Sequence, residues 1–260
     1  MRTIIIYMTA AAACAAISVS CSNQSLETTF NNQETKIADY ASGVVFSRCT
    51  LGQTEDDSGN PMFDDEGNPV FGRTVEESFT PQSVQNGGAT RLTIVPGEGT
   101  PLTSSGSASV YYAGYVFTSG ASAADITDIS LEGRDATWLA STPYSQFTVS
   151  ASQDEATGNV TMEIGGSGSS SGLSLFATNH YETALLSGWN LSGGDWTPVT
   201  VDLGSGDLVE GLQSGLEGVR AGEVCEILFS GKYGLGKKPL GTVPANSALL
   251  YRIWVISVTE

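Results

Sequence analysis

Gly231-Lys-Tyr-Gly-Leu-Gly236-Lys237-Lys238 has nearly the spacing of a phosphate-cradling loop, G-x-x-x-x-G-K-[S/T]. The last place holds Lys238, so the hydroxyl that would bind Mg²⁺ is missing, and Pro239 and Gly241 prevent the helix that such a loop needs. No nucleotide partner is expected. Gly168-Ser-Ser-Ser-Gly172 has the form of a nucleophile elbow, but it lies in low-complexity Ser/Gly sequence, and the chain offers one histidine, His180, as a base. His180 is read as a surface loop residue, with no second histidine or thiolate cluster to complete a zinc site. Asp56-Asp-Ser-Gly-Asn-Pro61-Met-Phe63 is repeated as Asp64-Asp-Glu-Gly-Asn-Pro69-Val-Phe71. Pro61 and Pro69 fall where a calcium-binding loop needs glycine, so the repeat is read as successive turns on short strands. No metal and no cofactor are expected, and the chemistry must use something other than a charged or metal-bound group.

Charge narrows the partners. The 260 residues carry 28 acidic against 11 basic side chains, a formal net charge of −17. Nucleic acid is excluded, because phosphate contacts need clustered Lys and Arg. Anionic headgroups are disfavoured too, so membrane attachment has to be apolar or covalent. Arg2 is the one charge among the first twenty residues, and Ile4–Ile6 and Ala10–Ile17 form an apolar run before Ser18-Val19-Ser20-Cys21. Residues 1–20 read as a secretory signal peptide. They resemble a bacterial lipoprotein signal, with Ser18 where leucine is usual. The resemblance implies a lipidated Cys21 and an exported protein anchored in the bacterial envelope, on the outer membrane. Acyl chains bury methylenes at about 0.8 kcal/mol apiece, and no later stretch is long and apolar enough to span a bilayer. Cys14 would leave with the signal, so Cys49 and Cys225 remain. They could pair in an oxidising compartment. Alternation in Val224–Phe229 instead sets Cys225 beside Ile227 and Phe229 on an inward face, the reading favoured for a small buried hydrophobe.

These patterns must be positioned by a β-rich frame, since charge density is low at 15% and glycine is abundant. Residues 21–35 read as a polar tether, and 36–88 as an N-terminal extension of helix and β-turns. Leu26, Phe30, Ile37 and Ala41 recur at helical spacing, which predicts a helix over 25–41. Gln85-Asn-Gly-Gly88 reads as a break. Strands are predicted at Leu92–Val95, Ser107–Phe117, Val199–Leu203, Val224–Phe229 and Ala248–Val258, with a short helix at Leu208–Leu216 that Gly211 and Gly215 weaken. Residues 118–172 read as an insertion. It holds one hairpin, Phe147–Val149 against Val160–Ile164, and closes on the linker-like Gly165–Gly172.

The closing half then becomes informative. Val201-Asp-Leu-Gly204, Leu208-Val-Glu-Gly-Leu212, Gly215-Leu-Glu-Gly-Val-Arg-Ala-Gly-Glu223, Tyr233-Gly-Leu-Gly236 and Val243-Pro-Ala-Asn-Ser-Ala-Leu-Leu-Tyr-Arg-Ile253 occur in order at short spacings. Upstream stand Thr93-Ile-Val-Pro-Gly-Glu-Gly99, Val110-Tyr-Tyr-Ala-Gly114 and, beyond the insertion, Leu175-Phe-Ala-Thr178. This ordered set resembles the FKBP-type peptidyl-prolyl cis-trans isomerase domain, split here into 89–117 and 173–260. The resemblance implies an α+β, mainly-β fold: a twisted antiparallel sheet wrapped around one short helix, with an inserted β-hairpin segment. It carries catalytic pocket roles to Tyr112, Phe176, Val209, Leu212 and Tyr251, and substrate contacts to Val199, Asp207, Leu208, Leu235 and Val243. The backbones of Val209 and Asp207 would bond the substrate peptide.

The implied reaction accords with the missing charged centre. Rotation about a prolyl bond is opposed by amide resonance, roughly 18–20 kcal/mol, and needs no nucleophile. An apolar pocket favours the twisted, less polar amide. The sequence departs from the family at four places. Ala177 stands for an aspartate and Leu235 for a tyrosine; Leu212 replaces the floor tryptophan and Val199 a wall phenylalanine. The expected function is isomerisation of proline-containing segments of exported proteins. The alternative, favoured by Ala177 and Leu235, is a non-catalytic envelope module that holds a partner protein or ligand.

Overall fold

The structure, a computed structural model, describes residues 25–67, 70–118, 126–131, 137–140, 147–153, 160–166 and 172–260. Residues 1–20, read above as a signal peptide, Cys21, Asn68-Pro69, residues 154–159 and most of the Ser/Gly run lie outside the described residues. The first described element is helix α1 (25–43), so the helix predicted over 25–41 is present and starts inside the segment read as a tether. Strands β1 (Phe46–Gln53), β2 (Phe71–Phe79), β3 (Gln82–Asn86), β4 (Ala89–Val95) and β5 (Ser107–Phe117) follow. The region read as an insertion supplies β6 (Ile126–Leu131), β7 (Thr137–Ala140), β8 (Phe147–Gln153) and β9 (Val160–Gly166). Then come β10 (Leu173–Thr178), helix α2 (Tyr181–Leu186), β11 (Val199–Asp202), helix α3 (Glu210–Leu216), β12 (Val224–Phe229) and β13 (Ala248–Thr259).

The main sheet is antiparallel, in the order β10-β5-β13-β12-β4-β3, with β11 pairing the other end of β5. The break read at Gln85–Gly88 is a hairpin inside this sheet. Asn86 pairs with Ala89, and Gly87 and Gly88 take φ of 53° and 83°, the left-handed pair that a type I′ turn requires and that glycine supplies without strain.

Alternation along these strands makes two faces, and both are buried. Cys225, Ile227 and Phe229 face α3 with Val110, Leu249 and Ile253. Leu228, Tyr115, Phe117, Leu250 and Trp254 face the opposite way, against Ile37 and Tyr40 of α1 and the following Val44 and Phe46. The sequence suggested one inward face for β12 and one helix on the sheet. In the structure Cys225–Phe229 is wholly buried, because α1 covers the second face. Each such side chain contributes about 1.5–3 kcal/mol by leaving water, so α1 is an integral layer. Cys225 is a free, buried thiol, and burial pushes its ionisation up, so the Cys49–Cys225 pairing is not formed.

Gly211 and Gly215 weaken α3 as an isolated helix, and packing explains them. A Cβ on Gly211 would lie 2.3 Å from Phe229 Cγ, and one on Gly215 2.2 Å from Ile227 Cγ2. Both glycines let α3 rest directly on β12. Gly215→Ala is therefore expected to destabilise the protein by about 1–3 kcal/mol through overpacking, reversing the gain of about 1 kcal/mol that alanine gives in an exposed helix. Urea unfolding of the variant checks the sign.

The N-terminal extension and the insertion share a second sheet, β2-β1-β6-β7, in which β1 runs parallel to β6 from the Phe46–Ile126 pair to Leu51–Leu131. The predicted hairpin is present as β8–β9, with Val149 opposite Ile164. The acidic repeat forms turns: Asp56 Oδ1 accepts from the Ser58 and Asn60 N–H groups at 2.8 and 2.9 Å, and Asp64 Oδ1 from Glu66 N–H at 2.9 Å. Among the described residues no helix is long and apolar enough to cross a membrane.

His180 is not the surface residue its loop setting suggested. It is buried at the start of α2, stacked on Trp254 with ring centroids 3.9 Å apart, and its Nδ1 lies 2.9 Å from Thr183 Oγ1. Nδ1 also accepts the Thr183 N–H at 3.3 Å, which caps a helix end otherwise left with free donors. Burial, aided by the Arg252 charge, lowers its pKa from 6.5 to about 3. An unfolded histidine takes its proton near pH 6.5, so between these values the unfolded chain binds more protons. This contribution to stability is complete above about pH 6.5 and is lost as pH falls toward 3. The loss follows a slope approaching about 1.4 kcal/mol per unit. Unfolding free energies of wild type and His180→Gln from pH 7 to 4.5 check this: the wild-type curve should be steeper.

Candidate functional site

The site is built where β10, β5 and β13 run side by side. Gly114 on β5 pairs with Tyr251 on β13. A Cβ there would lie 2.7 Å from Phe176 Cζ and 3.1 Å from Tyr251 Cε1, so the missing side chain is what lets the two rings meet across the strand. Phe176 is also the extra residue of a bulge: Leu175 pairs with Tyr115 and Ala177 with Gly114, leaving Phe176 between them. A bulge re-aims a side chain out of the regular alternation. Here it brings Phe176 edge-on to Tyr251, ring centroids 5.9 Å apart at 90°. Tyr251 in turn stacks on Phe229 at 6.0 Å and lies 6.5 Å from Tyr112.

These rings join one cluster with α3 and the loop after β12. Leu212, Val243 and Phe229 are buried in it, while Tyr112, Phe176, Leu208, Val209, Leu235 and Tyr251 are half-buried at its edge. Eight of the ten residues singled out from sequence are thus brought together: Tyr112, Phe176, Leu208, Val209, Leu212, Leu235, Val243 and Tyr251. The other two are not. Val199 opens β11 at the sheet edge with 39% of its surface exposed, and it is Val201, one repeat further along that strand, that packs into the cluster. Asp207 is exposed on the approach to α3. Val209 is the residue before α3, with extended φ −65° and ψ 146°, and its carbonyl accepts the Gln213 N–H at 3.0 Å. Its own N–H precedes the helical ladder and takes no part in it.

Residues that were not singled out hold this arrangement. Asn179 fills the gap along β5 between β10 and β11. Its Oδ1 accepts the Tyr112 N–H at 2.6 Å, and its Nδ2 donates to the Val110 and Thr197 carbonyls at 3.3 and 2.8 Å. Thr178 Oγ1 donates to the Tyr112 carbonyl at 2.7 Å. The Tyr112 backbone is therefore gripped on both sides. Gly211 N–H donates to the Tyr233 carbonyl at 2.8 Å, tying α3 to the loop after β12. No sequence motif announced Asn179. Phe229 was legible as an inward residue, and Tyr233 lay within a quoted motif.

Electrostatically the cluster is quiet. Burial, with a smaller contribution from neighbouring Tyr112, pushes Tyr251 up to about 12. Its hydroxyl therefore stays protonated, a neutral donor, across the physiological range. The arrangement offers an apolar, aromatic-edged surface with extended backbone beside it, suited to an apolar ring flanked by peptide.

Residues 170–256 match the family model of the FKBP-type peptidyl-prolyl cis-trans isomerase. The match supports an FKBP-type domain in the C-terminal part of the chain, where the sheet is antiparallel and packed by helices. "FK506-binding protein 1" of Aspergillus oryzae is 30% identical over 61 residues, which are 24% of this chain and 53% of that protein. The chain thus spans about half the length of the curated relative it matches. Among solved structures, the N-terminal domain of FKBP42 from Arabidopsis thaliana is similar with a TM-score of 0.39 and 13% identity, covering 69% of this chain and 93% of that one. A peptidyl-prolyl cis-trans isomerase from Pseudomonas syringae pv. tomato gives 0.35 and 13%, covering 66% and 76%.

Proposed function

We propose that the protein is a peptidyl-prolyl cis-trans isomerase of the FKBP type that acts on proline-containing segments of exported proteins, held to the bacterial envelope, on the outer membrane, by a lipid on Cys21. The observation that carries the catalytic reading is the meeting of Tyr112, Phe176 and Tyr251 over a floor of Phe229, Leu212 and Val243. A prolyl ring seated there leaves water, and its amide loses polarity as it twists, so an apolar surround opposes the twisted state less than water does. The extended backbone at Val209 lies where a peptide could add a hydrogen bond. No group has to form a covalent bond or carry charge.

The second reading, a module that holds its partner without turning it over, is favoured by Ala177 and Leu235. Both lack the polar side chain that the family places there, and each lost polar contact would weaken binding or the transition state by about 1–2 kcal/mol. Exchange spectroscopy on an Ala-Pro peptide separates the two. Shifts at Gly114, Phe176, Val209 and Tyr251 with faster cis–trans exchange support isomerisation. The same shifts with exchange unchanged support holding. No shifts at these residues would remove both.

A further inference from the structure

Helix α1 lies on the face of the sheet opposite Tyr251, yet it reaches the rim of the candidate site. The rim consists of two loops, 230–243 after β12, which carries Tyr233, Leu235 and Val243, and 244–247 before β13. The Gln33 side chain spans them: its Oε1 accepts the Gly231 N–H at 2.8 Å, and its Nε2 donates to the Asn246 carbonyl at 2.7 Å. Glu34 Oε1 accepts from Ser230 Oγ at 3.1 Å. These loops have no room to adjust independently. A Cβ on Gly231 would lie 2.3 Å from the Asn246 carbonyl oxygen, Asn246 takes φ 59°, and its N–H donates to the Gly236 carbonyl at 2.6 Å.

Packing around these bonds is open. A cleft of about 520 Å³ runs between α1 and residues 245–248. A second, of about 340 Å³, separates Glu34, Ile37 and Ala38 from the 85–90 hairpin and Tyr233. Between the clefts, hydrogen bonds more than side-chain packing fix the loops to the helix. From there the connection is short: Tyr233 N–H donates to the Ser230 carbonyl, and the Tyr233 carbonyl accepts the Gly211 N–H at the start of α3, two residues beyond Val209.

We propose that Gln33 is a positioning residue for the prolyl site, clamping the Gly231 and Asn246 loops so that Tyr233, Leu235 and the Val209 backbone keep their places. This rests on the isomerase reading for its kinetic consequence, but not for its structural one. The test compares Gln33→Ala, Gln33→Glu and Lys36→Ala in the otherwise intact protein. Lys36 is the control because it lies on the same helix and bonds the Thr118 carbonyl, outside the rim.

Two readouts are taken: amide hydrogen exchange at Gly231 and Gly211, and kcat/KM on a prolyl peptide. Gln33→Ala should speed exchange at Gly231 by about tenfold, the loss of one to two hydrogen bonds, and lower kcat/KM several-fold. Gln33→Glu keeps an acceptor for Gly231 and should restore protection there. Lys36→Ala should move neither readout. If Gln33→Ala leaves exchange at Gly231 as in Lys36→Ala, the clamp is overturned. If exchange accelerates while kcat/KM holds, the positioning role is overturned and the clamp is structural alone. If the wild type shows no turnover, the isomerase reading fails, and peptide affinity replaces kcat/KM as the second readout with the same expectation.

Discussion

Glu226→Ala is expected to destabilise the protein by about 3–5 kcal/mol, the cost of breaking a buried ion pair from one side. Glu226 and Arg252 face each other across β12 and β13 and are fully buried. Glu226 Oε1 receives Arg252 Nη2, and Oε2 receives the Tyr40 hydroxyl of α1 at 2.8 Å. Without the carboxylate the guanidinium is left as a charge among apolar neighbours. Among the described residues its Nε and Nη1 have no hydrogen-bond partner, and none of these residues takes over. The Tyr40 hydroxyl, whose ionisation burial and the carboxylate hold far above the ordinary tyrosine range, loses its acceptor too. Small domains have about 5–15 kcal/mol of stability in all, so the variant should lose a large share of it and unfold at markedly lower denaturant. Replacing both partners, as Glu226→Leu with Arg252→Met, should recover most of the loss, because no charge is then stranded. Denaturant unfolding of the three proteins measures the difference. A single variant within 1 kcal/mol of wild type would mean that the pair is solvated in solution.

Phe176→Ala is expected to lower kcat/KM by about 10–100-fold while leaving the fold standing. The ring is half-buried, and the bulge that presents it is a backbone feature. Removing it therefore costs less stability than emptying a sealed core position, where about 3–5 kcal/mol is usual. What disappears is one wall of the aromatic edge and the contact that orients Tyr251. Phe176→Leu keeps most of the apolar area without the edge-on ring and should fall between. Loss in kcat with KM unchanged would mean that Phe176 acts in the twisted state; a rise in KM alone would mean that it only holds the peptide.

Much of the architecture was legible because it follows from period and turn chemistry. Ser107–Phe117 was read to its ends from alternation, and the 147–164 hairpin from two apolar runs around a polar turn. The meeting of Tyr112, Phe176 and Tyr251 could be anticipated because each sits in a short motif whose order along the chain survives the insertion. What stayed hidden involves long-range burial. Glu226 and Arg252 look like outward residues of half-exposed strands, and only the docking of α1 makes them a buried pair. His180 reads as a loop residue until Trp254, 74 positions later, is found stacked on it. Val199 carried a wall role by position, yet a strand that starts at the sheet edge leaves its first residue uncovered. The joint sheet of β1 and β6 links segments whose separate patterns show nothing of each other.

The central claim is that an aromatic-edged apolar surface, without charged catalysis, lowers the barrier to prolyl rotation. A protease-coupled assay measures it directly: a protease that cleaves only trans peptide is added to an X-Pro substrate, and the slow phase reports isomerisation. The expected result is a slow phase that shortens in proportion to added protein, below the tens to hundreds of seconds of the unaided reaction, with the effect largely lost in Phe176→Ala. A slow phase at the unaided rate at every concentration of folded wild-type protein would contradict the account and leave a binding module in its place.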